Sequence, residues 1–590
     1  MSASRANSGR RGIVSFWAQT GHGPVIGRSV ENAIPALTPG SVTGIIPQSE
    51  FGGRGEFVMK PRTILASVTA LLFTTVAAFC HDEHEGHAGH GQVGNVNFSN
   101  SCAPAAQADL ASGVAMLHSF WFSAGEQAFR NVLAKDPACT IAYWGIASLL
   151  MLNPLSGVGP LPKDAEKAQA MIEFARKIPT TPREHAYVEA VGAYYQDWAN
   201  RPERARQEAR SSAYEALAGN YPDDDEAQIF SALYIASTQS QADQTYAAYA
   251  RAAAILEKQF AKHPDHPGIA HYLIHSYDAP PLATLGLAAA RLYAGIAPDA
   301  PHALHMPSHI FTRVGAWEDS VSTNRRSYEA AIKGGELPEA YHASDYAVYA
   351  DLQLARDAAA LSAMADAFKV KPPSASQVAV AYSSAAMPAR YALERGDWLA
   401  AKQLAPAAGG PPYTEAITLF ARAIGAARSG DAAAAEQDAS DLAVRHQKLV
   451  DVGNTYWARE VEIQQLAVAG WIAFAHKNVD DALKLMREAA DLEDQNEKHI
   501  VTPGRILPAR ELLGDMLYET GQPVLALKEY EASQQREPNR FRGYYGAARA
   551  AEAAGDRDKA AMNYDKLLTL AKNADTERPE LAQARAYVGR

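Results

Sequence analysis

Residues 507–540 read LPARELLGDMLYETGQPVLALKEYEASQQREPNR. Within this 34-residue unit Leu513, Gly514, Leu517, Gly521, Ala526, Tyr530 and Pro538 stand at positions 7, 8, 11, 15, 20, 24 and 32. One unit later come Ala547, Ala548, Ala551, Gly555, Ala560 and Tyr564. Small residues at positions 8 and 20 let two helices approach closely, and larger apolar residues fill the layer between units. Proline at position 32 ends the second helix. A period of 34 is that of a helix-turn-helix solenoid, in which equivalent helices of successive units lie side by side.

The same frame recurs upstream. Phe129 and Pro137 lead into Tyr143 and Ile146, Tyr214 and Pro222 into Gln228 and Ala232, Pro264 into Leu273 and Tyr277, and Pro298 into Leu304, Phe311 and Gly315. Where the spacing loosens, the pattern still predicts helices over Lys163–Lys177, Arg183–Trp198, Ser376–Arg395 and Asn454–Ala475. No alternating apolar run argues for a sheet. The small-residue and aromatic signature resembles the tetratricopeptide repeat (TPR). The resemblance implies an all-α fold, a TPR-like α-α solenoid forming a right-handed superhelix of helical hairpins. It divides the chain into an N-terminal array over 105–360, a C-terminal array over 361–575 and a tail over 576–590. A hydrophobic content of 47% agrees with close-packed helices. The net charge is −11 and the Lys and Arg residues form no stripe, which argues against nucleic acid as a partner.

The N-terminus concerns location. Met59-Lys-Pro-Arg precedes an almost uncharged apolar run, Thr63 to Phe79, ending in small residues at Val76-Ala77-Ala78. These are the parts of a secretory signal peptide over 59–78, and the run is short for a membrane span. The protein is therefore expected to be exported, periplasmic or secreted, and not an integral membrane protein. Phe79 stands where a lipoprotein signal needs a small residue, which disfavours anchoring through Cys80. Residues 1–58 are rich in Gly, Ser, Arg and Pro and read as a disordered or mis-annotated extension, with translation starting at Met59. Residues 79–104 read as a flexible leader whose tract from His81 through His84 and His87 to His90 suits loose binding of divalent metal ions. In an exported chain Cys102 and Cys139 either pair or remain two small buried thiols.

The chemistry lies with the histidines. His271 and His275 are followed 34 residues later by His305 and His309, among only 18 histidines in 590 residues. Each pair is spaced i, i+4, so its two rings share one helix face. Pro267 and Pro301 favour sharp helix starts before them, and Pro307 does so within the second pair. In the TPR family, positions 2, 5, 9, 12 and 13 of the first helix line the concave groove. That frame implies His271 and His275, and His305 and His309, at positions 5 and 9, with His302 at 2 and Asp278 and Thr312 at 12. A softer third alignment, with Ala355 at position 15, puts His342 at 2, Asp345 at 5 and Tyr349 at 9. His118 takes position 13 of the first unit. A nitrogen-rich set of this kind suits zinc, copper or iron, with His271, His275, His305 and His309 as metal ligands and Asp345 available as a carboxylate.

A narrower resemblance adds to this. HYLIHSYD from His271 to Asp278 and HALHMPSHIFTR from His302 to Arg313 are similar to segments of a group of exported bacterial TPR proteins. So are Leu117-His118-Ser-Phe, Ala142-Tyr-Trp144-Gly145 and the stretch from Lys498-His499 to Val501-Thr-Pro-Gly504. The resemblance implies architecture and export, not a reaction, and places His118, Trp144 and His499 on the same functional surface; the candidate ligand-binding residues are these three with His302, Arg313, His342, Asp345 and Tyr349. Ser276 and Ser308 adjoin histidines in sequence, but i, i+1 neighbours on a helix do not face each other, so nucleophilic catalysis has little support. Three readings remain. The first is a binding solenoid that takes a peptide or small ligand in a His-lined groove, with or without a metal ion. The second is a metal-dependent enzyme, and the third a metal carrier.

Overall fold

Glycine and proline punctuate the helices as the repeat demands. Gly521 separates the Ala509–Glu519 and Pro523–Arg536 helices, and Gly555 separates Phe541–Ala553 from Arg557–Leu570. Their φ values of +74° and +82° lie in the left-handed region that favours glycine. Position 8 is small because the tyrosine at position 24 lies against it: a Cβ on Gly514 would come within 2.9 Å of the Tyr530 ring. The structure, a computed structural model, describes residues 91–371, 377–406 and 409–589. The extension, the signal peptide, Cys80 and the His81–His90 tract lie outside the described residues.

Among the described residues the chain is all helix and turn, a TPR-like α-α solenoid of antiparallel hairpins. The helices expected in the loosely spaced stretches run Pro162–Ala175, Pro182–Tyr195, Val378–Leu393 and Thr455–Ala475. Those beginning at Pro162 and Pro182 carry proline in the first turn, where its missing N–H costs nothing. None of the described helices is long and apolar enough to cross a membrane. The apolar core forms two principal clusters, one spanning the N-terminal hairpins and one the hairpins from Tyr382 to Ala560. Residues 91–103, read from sequence as part of a flexible leader, instead lie along the first array. Phe98 is buried with its ring 5.2 Å from that of Trp144, and the Gln92 amide donates to Asp299 at 2.6 Å.

One departure from the repeat positions the site. After the Val479–Asp494 helix the chain does not turn directly into the next helix, which begins only at Ala509. The intervening segment crosses to the N-terminal array, and residues 496–504 are buried. The Glu497 amide donates to the Gln241 carbonyl at 2.8 Å, and the Tyr346 hydroxyl donates to the Thr502 carbonyl at 3.0 Å. Arg390 donates to the Gly504 carbonyl at 2.7 Å. The inner face that repeat phase reserves for a ligand thus holds the chain's own segment at this level. A second fold-back joins the Phe541 amide to the Gln353 side chain at 3.0 Å, and the Asp575 carboxylate accepts from the Ala358 and Ala359 amides.

Cys102 and Cys139 form a disulfide that closes a loop of sequence separation 37 around the first helix pair. In the chain-entropy model this contributes about 3–4 kcal/mol. Reduction, or the double variant Cys102→Ser/Cys139→Ser, is expected to lower the denaturant midpoint by a corresponding amount. An unchanged midpoint would show that the unfolded chain gains nothing from the crosslink.

Candidate metal centre

Three helices bring the histidines together. Pro267–Tyr277 carries His271 and His275, the short helices Pro301–His305 and Pro307–Arg313 carry His302, His305 and His309, and Leu337–Gln353 carries His342. All six side chains are buried. Ring centroids are 4.8 Å apart for His271 and His275, 5.0 Å for His305 and His309, and 4.1 Å for His305 and His342. Between helices, His271 lies 5.1 Å from His302 and His275 lies 5.6 Å from His309.

The outer nitrogens are held by acceptors. His271 Nδ1 donates to the His118 carbonyl at 2.6 Å, and His302 Nδ1 to Glu339 at 3.1 Å. His309 Nδ1 donates to Asp278 Oδ2 at 2.9 Å, and His305 Nδ1 to Asn324 Oδ1 at 2.7 Å. The Asn324 amide is oriented by its own N–H bond to the Ser320 carbonyl at 2.7 Å, so its oxygen faces the ring. Carbonyl and carboxylate oxygens only accept, which fixes a proton on each of these four Nδ1 atoms. In a neutral ring so held, Nε2 carries the lone pair, and the Nε2 atoms of His271, His305 and His309 each face a neighbouring histidine. Metal-bound histidines are oriented in this way, the second ring nitrogen tied to a carboxylate, amide or carbonyl oxygen.

The consequence is sharpest at His305 and His309, whose Nε2 atoms lie 3.1 Å apart. With both Nδ1 atoms protonated, neither Nε2 of the neutral rings has a hydrogen to share. The nearby Tyr346 hydroxyl spends its proton on the Thr502 carbonyl. Burial, then repulsion from His342 and His309, pushes His305 well below its usual pKa, and burial brings His309 down to about 4 despite Asp278. Two lone pairs therefore face each other at hydrogen-bond distance, a contact that a cation between them would turn from repulsive to favourable. His302 Nε2 and His275 Nδ1 are likewise buried with no hydrogen-bond partner. The donor set fits a borderline metal ion such as zinc or copper.

Charge around the centre is arranged in pairs. Burial opposes ionisation of Asp278, but Lys498 and Arg313 overcome it and hold the carboxyl far below the usual range. Lys498 donates to Asp278 Oδ2 at 2.8 Å and is itself brought down by burial to about 8. Arg313 donates to Asp278 Oδ1 at 2.8 Å and reaches Glu497 at 3.2 Å. Burial raises Glu339, and the adjacent His302 more than offsets this.

The structure thus brings together His271, His275, His302, His305, His309 and His342, with Arg313 one contact behind. Asp345 does not join them. Its carboxylate pairs with Arg390, both fully buried, and Tyr349 sits beside Arg540 and Trp317 instead. The third unit was misphased: His342 and Tyr346, 37 residues after His305 and His309, are their spatial counterparts, because the preceding Trp317–Gly334 helix runs on through a Gly334-Gly335 end. Trp144 packs on Phe230, which in turn stacks on His118. His499 stacks on Trp457 and bonds the Ser156 carbonyl at 3.0 Å, while its neighbour Lys498 reaches the centre. Sequence reading missed Glu339, Asn324 and Tyr346. Only Tyr346 left a signal, its i, i+4 spacing from His342.

No family model matches the chain, and no curated protein matches it. Among solved structures it is similar to a tetratricopeptide repeat protein from Parabacteroides merdae, 13% identical over 49% of this chain and 99% of that one, with a TM-score of 0.27. It is similar to human IFIT1 in complex with PPP-AAAA at 13% identity, covering 70% of this chain and 88% of that one, with a TM-score of 0.35. Yeast Tom70 gives 13% identity, 82% and 95% coverage and a TM-score of 0.25. At these scores the likeness carries no argument about function.

Two outcomes are expected. Rings that stay neutral in the metal-free folded protein, with His309 near 4 and His342 near 3, take up protons near 6.5 once unfolded. The unfolded state binds more protons in that window, so thermal stability should fall steadily as pH drops from about 6.5 to about 3. A midpoint flat across that range would mean the rings are charged in the fold. Gly268 faces His118, and a Cβ there would lie 2.3 Å from His118 Nδ1. Gly268→Ala should therefore cost about 1–3 kcal/mol in chemical denaturation.

Proposed function

We propose that the protein is an exported TPR-like scaffold that holds a first-row transition metal ion in its buried polyhistidine centre. The observation that carries this reading is the facing of the His305 and His309 Nε2 lone pairs at 3.1 Å, both outer nitrogens being committed to Asn324 and Asp278. His271, His275, His302, His305, His309 and His342 are the ligands. When bound, an ion held by three imidazoles keeps an open coordination position and acts there as a Lewis acid. Asp278, Glu339 and Asn324 orient the ligating rings, and Lys498 with the buried 496–504 segment covers the centre from the C-terminal array.

A solenoid of helical hairpins is an architecture suited to binding protein segments or small ligands. Here a separate peptide at the level of the histidines would have to displace residues 496–504. This favours metal over peptide as the occupant of the centre, and leaves peptide binding to other parts of the inner face.

Metal analysis of the protein purified from its own host, without added metal, tests the reading. Zinc, copper or iron should be retained near stoichiometry when His81, His84, His87 and His90 are replaced by serine. The metal content should fall in His305→Ala/His309→Ala, and fall to background when His271→Ala/His275→Ala is added, with helical content preserved. Glu339→Gln and Asn324→Ala should weaken metal affinity by about 10–100-fold. Metal that leaves with the leader histidines alone would overturn the proposal.

A further inference from the structure

The six histidines fall into two sets rather than one. In His271, His275 and His302 the candidate ligand atoms all lie within 4.8 Å of one another, and the same holds for His305, His309 and His342. Imidazole nitrogens bind zinc at 2.0–2.1 Å, so ligands of one ion lie within about 4.2 Å of each other. Each triad closes on one ion with small ring movements, whereas all six rings would have to collapse inward to share one. The two sets adjoin: His302 and His305 rings are 5.7 Å apart, and His275 and His309 rings 5.6 Å. They also come from successive repeats, the first from the Pro267–Tyr277 helix with His302, the second from Pro301–Arg313 with the counterpart helix carrying His342.

The charge inventory then points to a further ligand. An imidazole that ligates a metal does so as the neutral ring, so six such donors bring no negative charge. Of the carboxylates that touch the rings, Asp278 is already offset by Lys498 and Arg313. Glu339 is left as the one carboxylate on a ring without a Lys or Arg ion pair among the described contacts. Two divalent ions would bring four positive charges into a site with about one unmatched negative charge, a large penalty in a buried environment. Three-ligand ions keep a coordination position free, and in adjoining triads those positions can face one another.

We propose that the centre is dinuclear, with one ion on His271, His275 and His302 and the other on His305, His309 and His342, and that it binds a small anion of hydroxide or azide size between the two ions. The inference rests on the metal-binding reading above. The anion supplies the missing negative charge and fills the open position of both ions at once. Glu339 and Asp278 each serve one ion, through His302 and His309.

The test uses the full chain with His81, His84, His87 and His90 replaced by serine, stripped with chelator and reloaded with copper(II). Two ions per chain are expected, and His302→Ala and His342→Ala should each retain one. Electron paramagnetic resonance of the loaded chain without centre substitutions should show a magnetically coupled pair, a readout independent of whether the variants fold. Azide should then titrate at one per two coppers. One copper per chain, or two uncoupled signals, would overturn the dinuclear assignment and leave the metal reading standing. No copper retained would remove both. Azide binding at one per ion, or none, would overturn the bridging anion.

Discussion

Six imidazoles within ring contact of one another cannot all be protonated, and much of the inner architecture follows from that constraint. At separations of 4–6 Å like charges in a poorly solvated interior repel by several kcal/mol. The fold meets this by burying the rings, which favours the neutral form, and by placing a fixed acceptor behind four of them. Acceptors on the outside dictate lone pairs on the inside. The same hydrogen bonds that lock the rings thus gather unshared electron pairs on the inside, where a bound cation would satisfy them.

The segment over 496–504 is the other half of this arrangement. A solenoid leaves its inner face open, and water there would solvate the rings and relax their constraint. Instead the chain lays its own backbone across the face, with carbonyls of Thr502 and Gly504 taken by Tyr346 and Arg390. Lys498 is the costly part. Burying an ammonium is unfavourable unless paired, and its partner Asp278 is also the residue that holds His309. Closure of the segment and orientation of the His309 ring are therefore coupled through one carboxylate. Loss of Lys498 would leave Asp278 to Arg313 alone and change the field at His309.

Much of the fold was legible because its signals are local. Gly514 against Tyr530, the glycines at position 15 and the prolines at helix starts each act within one hairpin, and the sequence period states them directly. The in-register pairs His271/His275 and His305/His309 were legible for the same reason. Asp345 was misread because phase was carried across a longer helix: three added residues rotate a helix by most of a turn, exchanging Asp345 and Tyr349 for Tyr346. Glu339 and Asn324 left no trace, since each serves a ring on another element. The expected open groove failed for a different reason. Nothing local in residues 496–504 says that this loop returns some 200 residues up the chain, although its Lys-His pair stood out in the resemblance.

The group formed by His118, Glu226 and His266 adjoins the centre and is knit by a single carboxylate. Glu226 accepts from His118 Nε2 at 2.9 Å and from His266 Nε2 at 3.0 Å, and Tyr272 bonds His118 Nδ1 at 2.9 Å. The carboxylate accepts from one ring N–H on each oxygen and so ties the two rings together. What this cluster does is position. His118 ends the Gln107–His118 helix, where carbonyls lack intrahelical partners, and its carbonyl takes the Nδ1 proton of His271. Fixing the His118 ring therefore fixes the acceptor that orients the His271 ring. The disulfide, holding the start of that helix to the start of the Thr140–Leu150 helix, steadies the same element from its other end. The first hairpin, remote in sequence from the histidine pairs, thereby belongs to the centre as its outer support.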